Sequence, residues 1–419
     1  MKKSKIVFLI LIIVATMFIA AGAYLLFKEP KPQEINVTTA NDYNSKIIRV
    51  INQNENNNYL ISPYSIEIAL SMLRDGANGQ TKKQIDDLIG ERQINILTID
   101  KRINVANAAF IKNEYKSNVV DTYYKNLNSK YAADILYDKF ETPKVMNDWV
   151  NKETDGMIKD LVNDLSKDFV MGIANAVAID VEWQHEFECI DTTNKEFTKI
   201  NNEKYEVAMM HNTYENGEDV KYFETETEKG VVIPYKKYNS KGEEAYLDGN
   251  NLEFVGIFPN DNVKDYVSNI NENVFNRIED NLKKVSQKEV LSLSLPMFKY
   301  EYEASSFKSN LGALGITDVF NGVTADLSNM IKAPNMNFYV SEAIHKTYID
   351  LNEKGTKAAA VTAFMIEKNA MAMQEEKPKI IKIEFNKPFV YMIRDNKTKE
   401  ILFFGVVYEP NKWEGSTCK

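Results

Sequence analysis

Residues 353–378, EKGTKAAAVTAFMIEKNAMAMQEEKP, narrow the possible folds more than any other part of the chain. The segment lies between two strand-like runs yet carries little of the Gly, Asn and Asp that ordinary turns use. Small residues crowd its first half: Gly355, Thr356, Ala358, Ala359, Ala360, Val361, Thr362 and Ala363. Taken alone, an alanine-rich run reads as helix, because Ala is the best helix former. A period of two gives another reading. The even positions Thr356, Ala358, Ala360, Thr362, Phe364 and Ile366 are uncharged and the first four are small, whereas Lys357 and Glu367 stand at odd positions. A strand inserted with its even face on a core keeps both charges off that core. The segment therefore suits two states, an exposed loop and a buried central strand, and small residues at its leading end ease entry between existing strands.

The flanking sequence reads as one large α+β domain. Ser62 suits a helix N-cap and Pro63 the first helical position, with Ile66, Ala69, Leu70, Met72 and Leu73 at helical spacing and Gly76 at the end. Thr81 and Gln84 have capping-box spacing, and Gly90 closes that second helix. Asn147 to Val150 enter another helix. Asn104–Ile111 and Ile173–Val181 read as strands. Later runs crowd Val, Ile, Phe and Tyr: Val231–Pro234, Leu252–Phe258, Leu291–Leu295, Phe338–Val340, Lys379–Phe385, Phe389–Ile393 and Ile401–Val407. Residues 237–251 read as a polar loop.

The amino terminus stands apart. Lys2, Lys3 and Lys5 precede an uncharged run from Ile6 to Phe27, whose 22 residues would span about 33 Å as a helix, enough for a bilayer core. Basic residues on the short side leave that end inside the cell and the body outside. A cleaved leader is the rival reading, since Ala21-Gly22-Ala23 fits a cleavage site. The run is long for a leader and favours the anchor; both readings make the body extracellular. The expected organisation is residues 1–27 anchor or signal peptide, 28–41 linker, 42–413 domain and 414–419 tail. Cys189 and Cys418 are far apart in sequence, and two free thiols are the preferred expectation, because a large core does not need a disulfide.

Several functions are disfavoured. The net charge of −9 argues against nucleic-acid binding. The three histidines, His185, His211 and His345, sit in no nucleophile-elbow or zinc-protease motif. His185 reads as a turn residue and His211 as packing. Neither catalysis nor a cofactor or metal is expected.

A series of motifs then appears in one order. It comprises Ser62-Pro63-Tyr64-Ser65-Ile66, Asn107-Ala108, Asn175-Ala176, Trp183 with Phe187, Leu295-Pro296-Met297-Phe298, Ala325–Met330, Val340–Lys346, Glu353–Thr362, Phe385-Asn386-Lys387-Pro388-Phe389 and Phe404-Gly405. Together they resemble the landmarks of the serpins over roughly residues 42–413. The stretch Glu353-Lys354-Gly355-Thr356-Lys357-Ala358-Ala359-Ala360-Val361-Thr362 is similar to the hinge of inhibitory serpins, except that Lys357 stands where Glu is usual, on the outward face.

The resemblance implies the serpin fold, helices packed on three β-sheets with an exposed reactive-centre loop. It implies a monomeric suicide substrate. A serine protease, or a cysteine protease, cuts the loop and stays covalently bound while the loop enters the main sheet. Counting from Gly355 places the reactive bond at Asn369–Ala370, which points to an asparagine-selective protease. A shifted register gives Lys368, for a trypsin-like enzyme, or Met371 or Met373, for elastase-like or subtilisin-like enzymes. The resemblance also implies a hydrogen-bonded gate of Ser62, Ser65, Asn175 and His345 under the sheet centre, against the plainer reading of a helix cap and a core histidine. A non-inhibitory serpin acting as a binding or chaperone module is the alternative, disfavoured by the small, uncharged even face.

Overall fold

Ser62 and Pro63 begin a helix as their types require: the Ser62 Oγ accepts the Ser65 N–H at 3.1 Å and Pro63 occupies the first turn. The computed structural model describes residues 37–90, 103–237, 252–304, 307–333, 335–341, 343–356, 378–415 and 418. The anchor or leader at 1–27, nearly all of the 237–251 loop, hinge residues Ala358, Ala359, Ala360, Val361 and Thr362, and the candidate bond residues Lys368, Asn369, Ala370, Met371 and Met373 lie outside them. Among the described residues, no helix is long and apolar enough to cross a membrane.

Helix α1 (Val37–Asn54) takes in the last five residues of the stretch read as a linker. Then come β1 (Tyr59–Ile61), α2 (Pro63–Gly76), α3 (Gly79–Ile89), β2 (Ile103–Lys112), α4 (Asp121–Tyr131), β3 (Asp134–Asp138), α5 (Lys144–Glu153), β4 (Met171–Ile179) and β5 (Val181–Glu182). The chain continues through β6 (Thr193–Thr198), β7 (Lys204–Tyr214), β8 (Lys221–Glu224), β9 (Glu228–Pro234), β10 (Leu252–Pro259), α6 (Val263–Ser268), α7 (Glu272–Asp280) and β11 (Lys283–Lys284). It ends with β12 (Glu289–Pro296), β13 (Phe298–Glu303), α8 (Phe307–Ala313), β14 (Lys346–Leu351), β15 (Gly355–Thr356), β16 (Lys379–Glu384), β17 (Phe389–Asp395) and β18 (Ile401–Val407).

The strands form three layers. One sheet runs β1-β18-β17-β10-β9-β8-β11, and every residue of β17 and β18 is buried. Those two strands are continuous apolar runs because both of their faces are covered. A second sheet runs β16-β12-β7-β6. The third layer is in two parts, β13-β14-β15-β5 and β3-β2-β4. Helix α2 is buried nearly all round and packs on both β18 and β4, so it lies between the first sheet and the third layer.

Three expectations need correction. Thr81 and Gln84 form no capping box: Asn78 precedes the helix, the Thr81 Oγ1 accepts the Asp326 N–H at 2.9 Å, and the Gln84 Oε1 accepts the N–H groups of Thr317 and Asp318. Both side chains fasten a distant loop. Phe338–Val340 is not a strand. Val340 N–H bonds the Val319 carbonyl and the Phe338 ring packs edge-on to Tyr115, so the apolar residues serve packing without a ladder.

The two cysteines, expected as free thiols, form a disulfide with Cα atoms 5.3 Å apart. At Pro296 the chain leaves β12 for β13, and the carboxyl-terminal segment takes up the vacated side of β7: Lys412 bridges Val207 and Trp413 N–H donates to the Glu206 carbonyl at 3.0 Å. Cys189, just before β6, is beside β7 from the other direction. No spacing rule reveals this meeting, since 229 positions separate the two residues.

Gly230 on β9 shows how closely the first sheet is packed. A Cβ there would sit 2.1 Å from the Gly256 carbonyl oxygen and 2.3 Å from the Phe223 ring. Gly230→Ala is expected to lower stability by about 1–3 kcal/mol, measured as a shift of the urea midpoint.

Candidate functional site

Among the described residues, no strand lies between β14 and β4 in the third layer beyond the two residues of β15. β14 pairs along its length with β13 on one side. On its other side its strand partner among the described residues is β15, where Leu351 pairs with Thr356. β15 pairs in turn with β5, Gly355 with Glu182 and Thr356 with Val181. β5 follows β4 after the single residue Asp180, and β4 pairs with β2. β14 and β4 are therefore the inner edges of two half-sheets, not partners of each other, joined at one end by two residues. Inner-edge backbone groups without a strand partner are a template for another strand. Gly355 is required where it stands: a Cβ would lie 2.1 Å from the Val181 carbonyl oxygen and 2.7 Å from the Glu182 Cα.

An aromatic cluster grips this junction. Trp183 is fully buried, stacks on Tyr235 at 4.6 Å and meets Phe254 and Phe187 edge-on. Its indole Nε1 donates to the Asn352 carbonyl and its backbone N–H to the Lys354 carbonyl, at 2.9 and 2.8 Å. Phe187 N–H donates to the Glu353 carbonyl at 2.9 Å. The Tyr235 and Thr356 hydroxyls share a bond of 2.8 Å, with Thr356 only 3% exposed. Lys236 lies beside the cluster and bridges Glu182 and Glu186.

Below the junction, Ser62 has two roles. Its Oγ caps α2, and its backbone N–H donates to His345 Nε2 at 3.0 Å. His345 is buried just before β14, and burial pushes its pKa down to about 4. Accepting through Nε2 requires the neutral ring. The Thr347 hydroxyl adds a bond to the Leu60 carbonyl at 2.7 Å, which ties β14 to the start of this motif. Asn175 stands across the open position on β4. Its Nδ2 donates to Asn107 Oδ1 at 2.6 Å and to the Ala106 carbonyl at 3.3 Å, while its Oδ1 is buried without a partner. Asn107 passes the chain on to the Tyr131 carbonyl at 2.7 Å.

A small separate core covers the front. Phe110, Phe140, Met146, Trp149 and Val150 with neighbours from β2, β4 and the segment after α5 form it, apart from the main core. Tyr348 of β14 packs against it, and Lys346 Nζ reaches the Asp160 carbonyl at 3.1 Å. This cover spans both half-sheets through few bonds, so it is suited to shift without opening the main core.

The family model described as Serpin (serine protease inhibitor) matches residues 38–410. The chain belongs to the serpin family. It is 27% identical over 404 residues to an uncharacterized serpin-like protein of Methanosarcina acetivorans, covering 91% of this chain and 88% of that one. It is 28% identical to a leukocyte elastase inhibitor of Xenopus laevis, covering 85% of this serpin and 95% of that protein. Among solved structures, the native state of the thermophilic serpin tengpin superposes with a TM-score of 0.73 at 28% identity, covering 91% of this chain and 96% of that one. The α+β arrangement described above is the serpin fold.

The structure brings Ser62, Ser65 and His345 together and sets Asn175 on the opposite half-sheet, bonded to Asn107. Of the hinge residues, Glu353 and Thr356 are buried and Gly355 is paired in the sheet. Thr356, the first even-face residue of a segment that suits either an exposed loop or a buried strand, is docked in the sheet. Tyr235, Asn107 and Thr347 were not singled out as site residues. Tyr235 and Thr347 carry no local signal, whereas Asn107 was legible only as a motif position.

His345 makes the stability of this cluster pH-dependent. Its folded pKa of about 4 lies below the ordinary 6.5, so the unfolded chain takes up the proton first. The native form should be unpenalised above pH 6.5 and lose stability as pH falls towards 4, by roughly 3 kcal/mol in all. Unfolding midpoints between pH 7 and 4 should show this slope, and His345→Gln should remove it. Gly355→Ala is expected to expel the junction residues and lower the melting temperature of the uncut protein.

Proposed function

We propose that this serpin inhibits serine-type endopeptidases outside the cell, as a suicide substrate. The observation that supports this most is the hinge. Gly355 and Thr356 pair between β14 and β5 at one end of a strand position that no other described residue occupies, and the sequence that follows them is small and uncharged on the face that would turn inward. The family consists largely of protease inhibitors rather than enzymes. The extracellular setting rests on residues 1–27, read as an anchor or leader, and the disulfide suits an oxidising compartment.

The reaction begins as ordinary proteolysis. The protease nucleophile attacks the Asn369 carbonyl carbon, the Asn369–Ala370 bond breaks, and Ala370 leaves as a new amine with the transferred proton. Asn369 remains as the acyl group on the protease. The freed arm then extends β15 between β14 and β4, carrying the acyl-enzyme along. About a dozen new backbone bonds at ~1 kcal/mol each, plus burial of the even face, make the step strongly downhill. Asn175 Oδ1 and the inner edges of β4 and β14 acquire partners as it proceeds. Distortion of the carried protease leaves the ester intact. Cysteine proteases fit the same scheme through a thioester, and Lys368, Met371 or Met373 replaces Asn369 if the register differs.

A panel of serine and cysteine proteases should include one that forms an SDS-resistant complex with this chain, and mass spectrometry of the released fragment then locates the cut. Ala360→Arg places an unpaired charge on the inserting face and should convert the inhibitor into a substrate that is cut and released. Nicking the parent within the loop should raise its melting temperature sharply. Plain cleavage by every protease, with no complex and no rise in melting temperature, would overturn the proposal in favour of a non-inhibitory binding role.

A further inference from the structure

The Cys189–Cys418 bridge connects the end of the chain to the segment that grips the hinge. Cys189 opens a short turn, Cys189–Asp191, two residues after Phe187. Phe187 and Trp183 are the residues whose N–H groups hold the Glu353 and Lys354 carbonyls. Between Trp183 and Cys189 the chain has no continuous ladder. It is held by separate bonds instead: those two, Gln184 N–H on the Pro234 carbonyl at 3.0 Å, the Trp183 indole on the Asn352 carbonyl, Asn212 Nδ2 on the Glu186 carbonyl at 3.3 Å and the Lys236–Glu186 pair.

The other end of the bridge is firmly seated before the cysteine is reached. Asn411 Oδ1 accepts the Lys299 N–H at 2.6 Å at the start of β13, Tyr205 donates to the Pro410 carbonyl at 2.8 Å, and Lys412 and Trp413 pair with β7. Gly415 takes a φ of 112°, and Cys418 bonds Cys189. The disulfide thus ties the gripping segment to a strip of chain fastened on β7 and β13. Cys418 is exposed and Cys189 half-buried, which leaves the bond open to attack by a thiolate.

We infer that this disulfide is a redox-controlled brace on the hinge grip. Oxidised, it holds residues 183–191 against Glu353 and Lys354 and keeps the uncut loop from entering the sheet. A dithiol of the small-molecule or thioredoxin-like kind reduces it by thiol–disulfide exchange. Two electrons and two protons pass to the Cys189 and Cys418 sulfurs, and the dithiol closes to a disulfide. The grip then opens more often, the loop enters without being cut, and inhibitory capacity is lost. Entry of an uncut loop also pulls on β16, because the loop is continuous with it at Pro378-Lys379. The brace therefore limits one end of a segment tethered at both. An inhibitor built this way stays armed in an oxidising exterior and disarms in a reducing one. This inference rests on the loop-insertion reading proposed above.

The test compares the full-length oxidised protein, the same protein treated with dithiothreitol without denaturant, and Cys418→Ser. Hydrogen exchange across residues 183–191 should be about tenfold faster in the last two, as expected when a local opening loses its cross-link, and dithiothreitol should add nothing to Cys418→Ser. Incubation near 40 °C should convert both to a heat-stable monomer several-fold sooner than the oxidised protein. Equal exchange in all three overturns the brace. Faster exchange with no heat-stable product in any of them, loop-nicked protein included, supports the brace and overturns the insertion reading instead.

Discussion

Among the described residues, a single layer of strands is interrupted between β14 and β4, and two residues, Gly355 and Thr356, close the interruption at one end. The rest of the molecule is arranged around that incomplete pairing. Edge backbone groups that lack strand partners hold free energy that a correctly shaped segment can release. In the proposed reading, the segment that would do so is the one following β15, whose residues Gly355 and Thr356 are paired in the sheet. The junction itself is closely held. Gly355 lies against the Val181 carbonyl with no room for a side chain, Thr356 is bonded to Tyr235, and Trp183 and Phe187 hold the carbonyls just upstream.

The elements behind and in front of the opening serve the same end. Helix α2 is buried on nearly every side, and its cap residue Ser62 also binds His345 at the start of β14. The helix start and the strand edge cannot move independently. On the other edge, Asn175 spends its amide on Asn107 and leaves its carbonyl oxygen without a partner. A buried acceptor without a donor is costly, and here it stands on the strand that a new neighbour would join. The cover beneath α5 has its own small core, so its displacement does not require the main core to open. The disulfide adds a covalent restraint at the one place where the grip is irregular backbone.

Much of this was legible along the chain, for identifiable reasons. Ser62-Pro63 announces a helix start through local chemistry, and α2 begins there. The runs Ile401–Val407 and Phe389–Ile393 are apolar throughout because both faces of β17 and β18 are covered, so period and composition were enough. β6 was missed because only Phe197 of its six residues is buried, and a polar edge strand looks like a loop. Thr81 and Gln84 misled because their side chains answer to residues more than 230 positions away. Phe338–Val340 misled because an apolar run shows burial without showing a ladder. Ser62 and His345 were named as gate members by motif, but the direction of their bond and the separation of Asn175 from it are matters of three-dimensional register.

The amino-acid sequence by itself determined the periodic content: where helices cap, which runs are buried on both faces, and that residues 353–378 can be loop or strand. Each of these depends on neighbours within a few positions, where side-chain type and backbone period act directly. Only the tertiary structure decided that β4 and β14 stand apart, that Thr356 rests under Tyr235, and that Cys189 and Cys418 meet. Those facts arise when segments more than a hundred residues apart are brought to bonding distance, and no local pattern encodes which pairs will meet or how nearly a sheet will close.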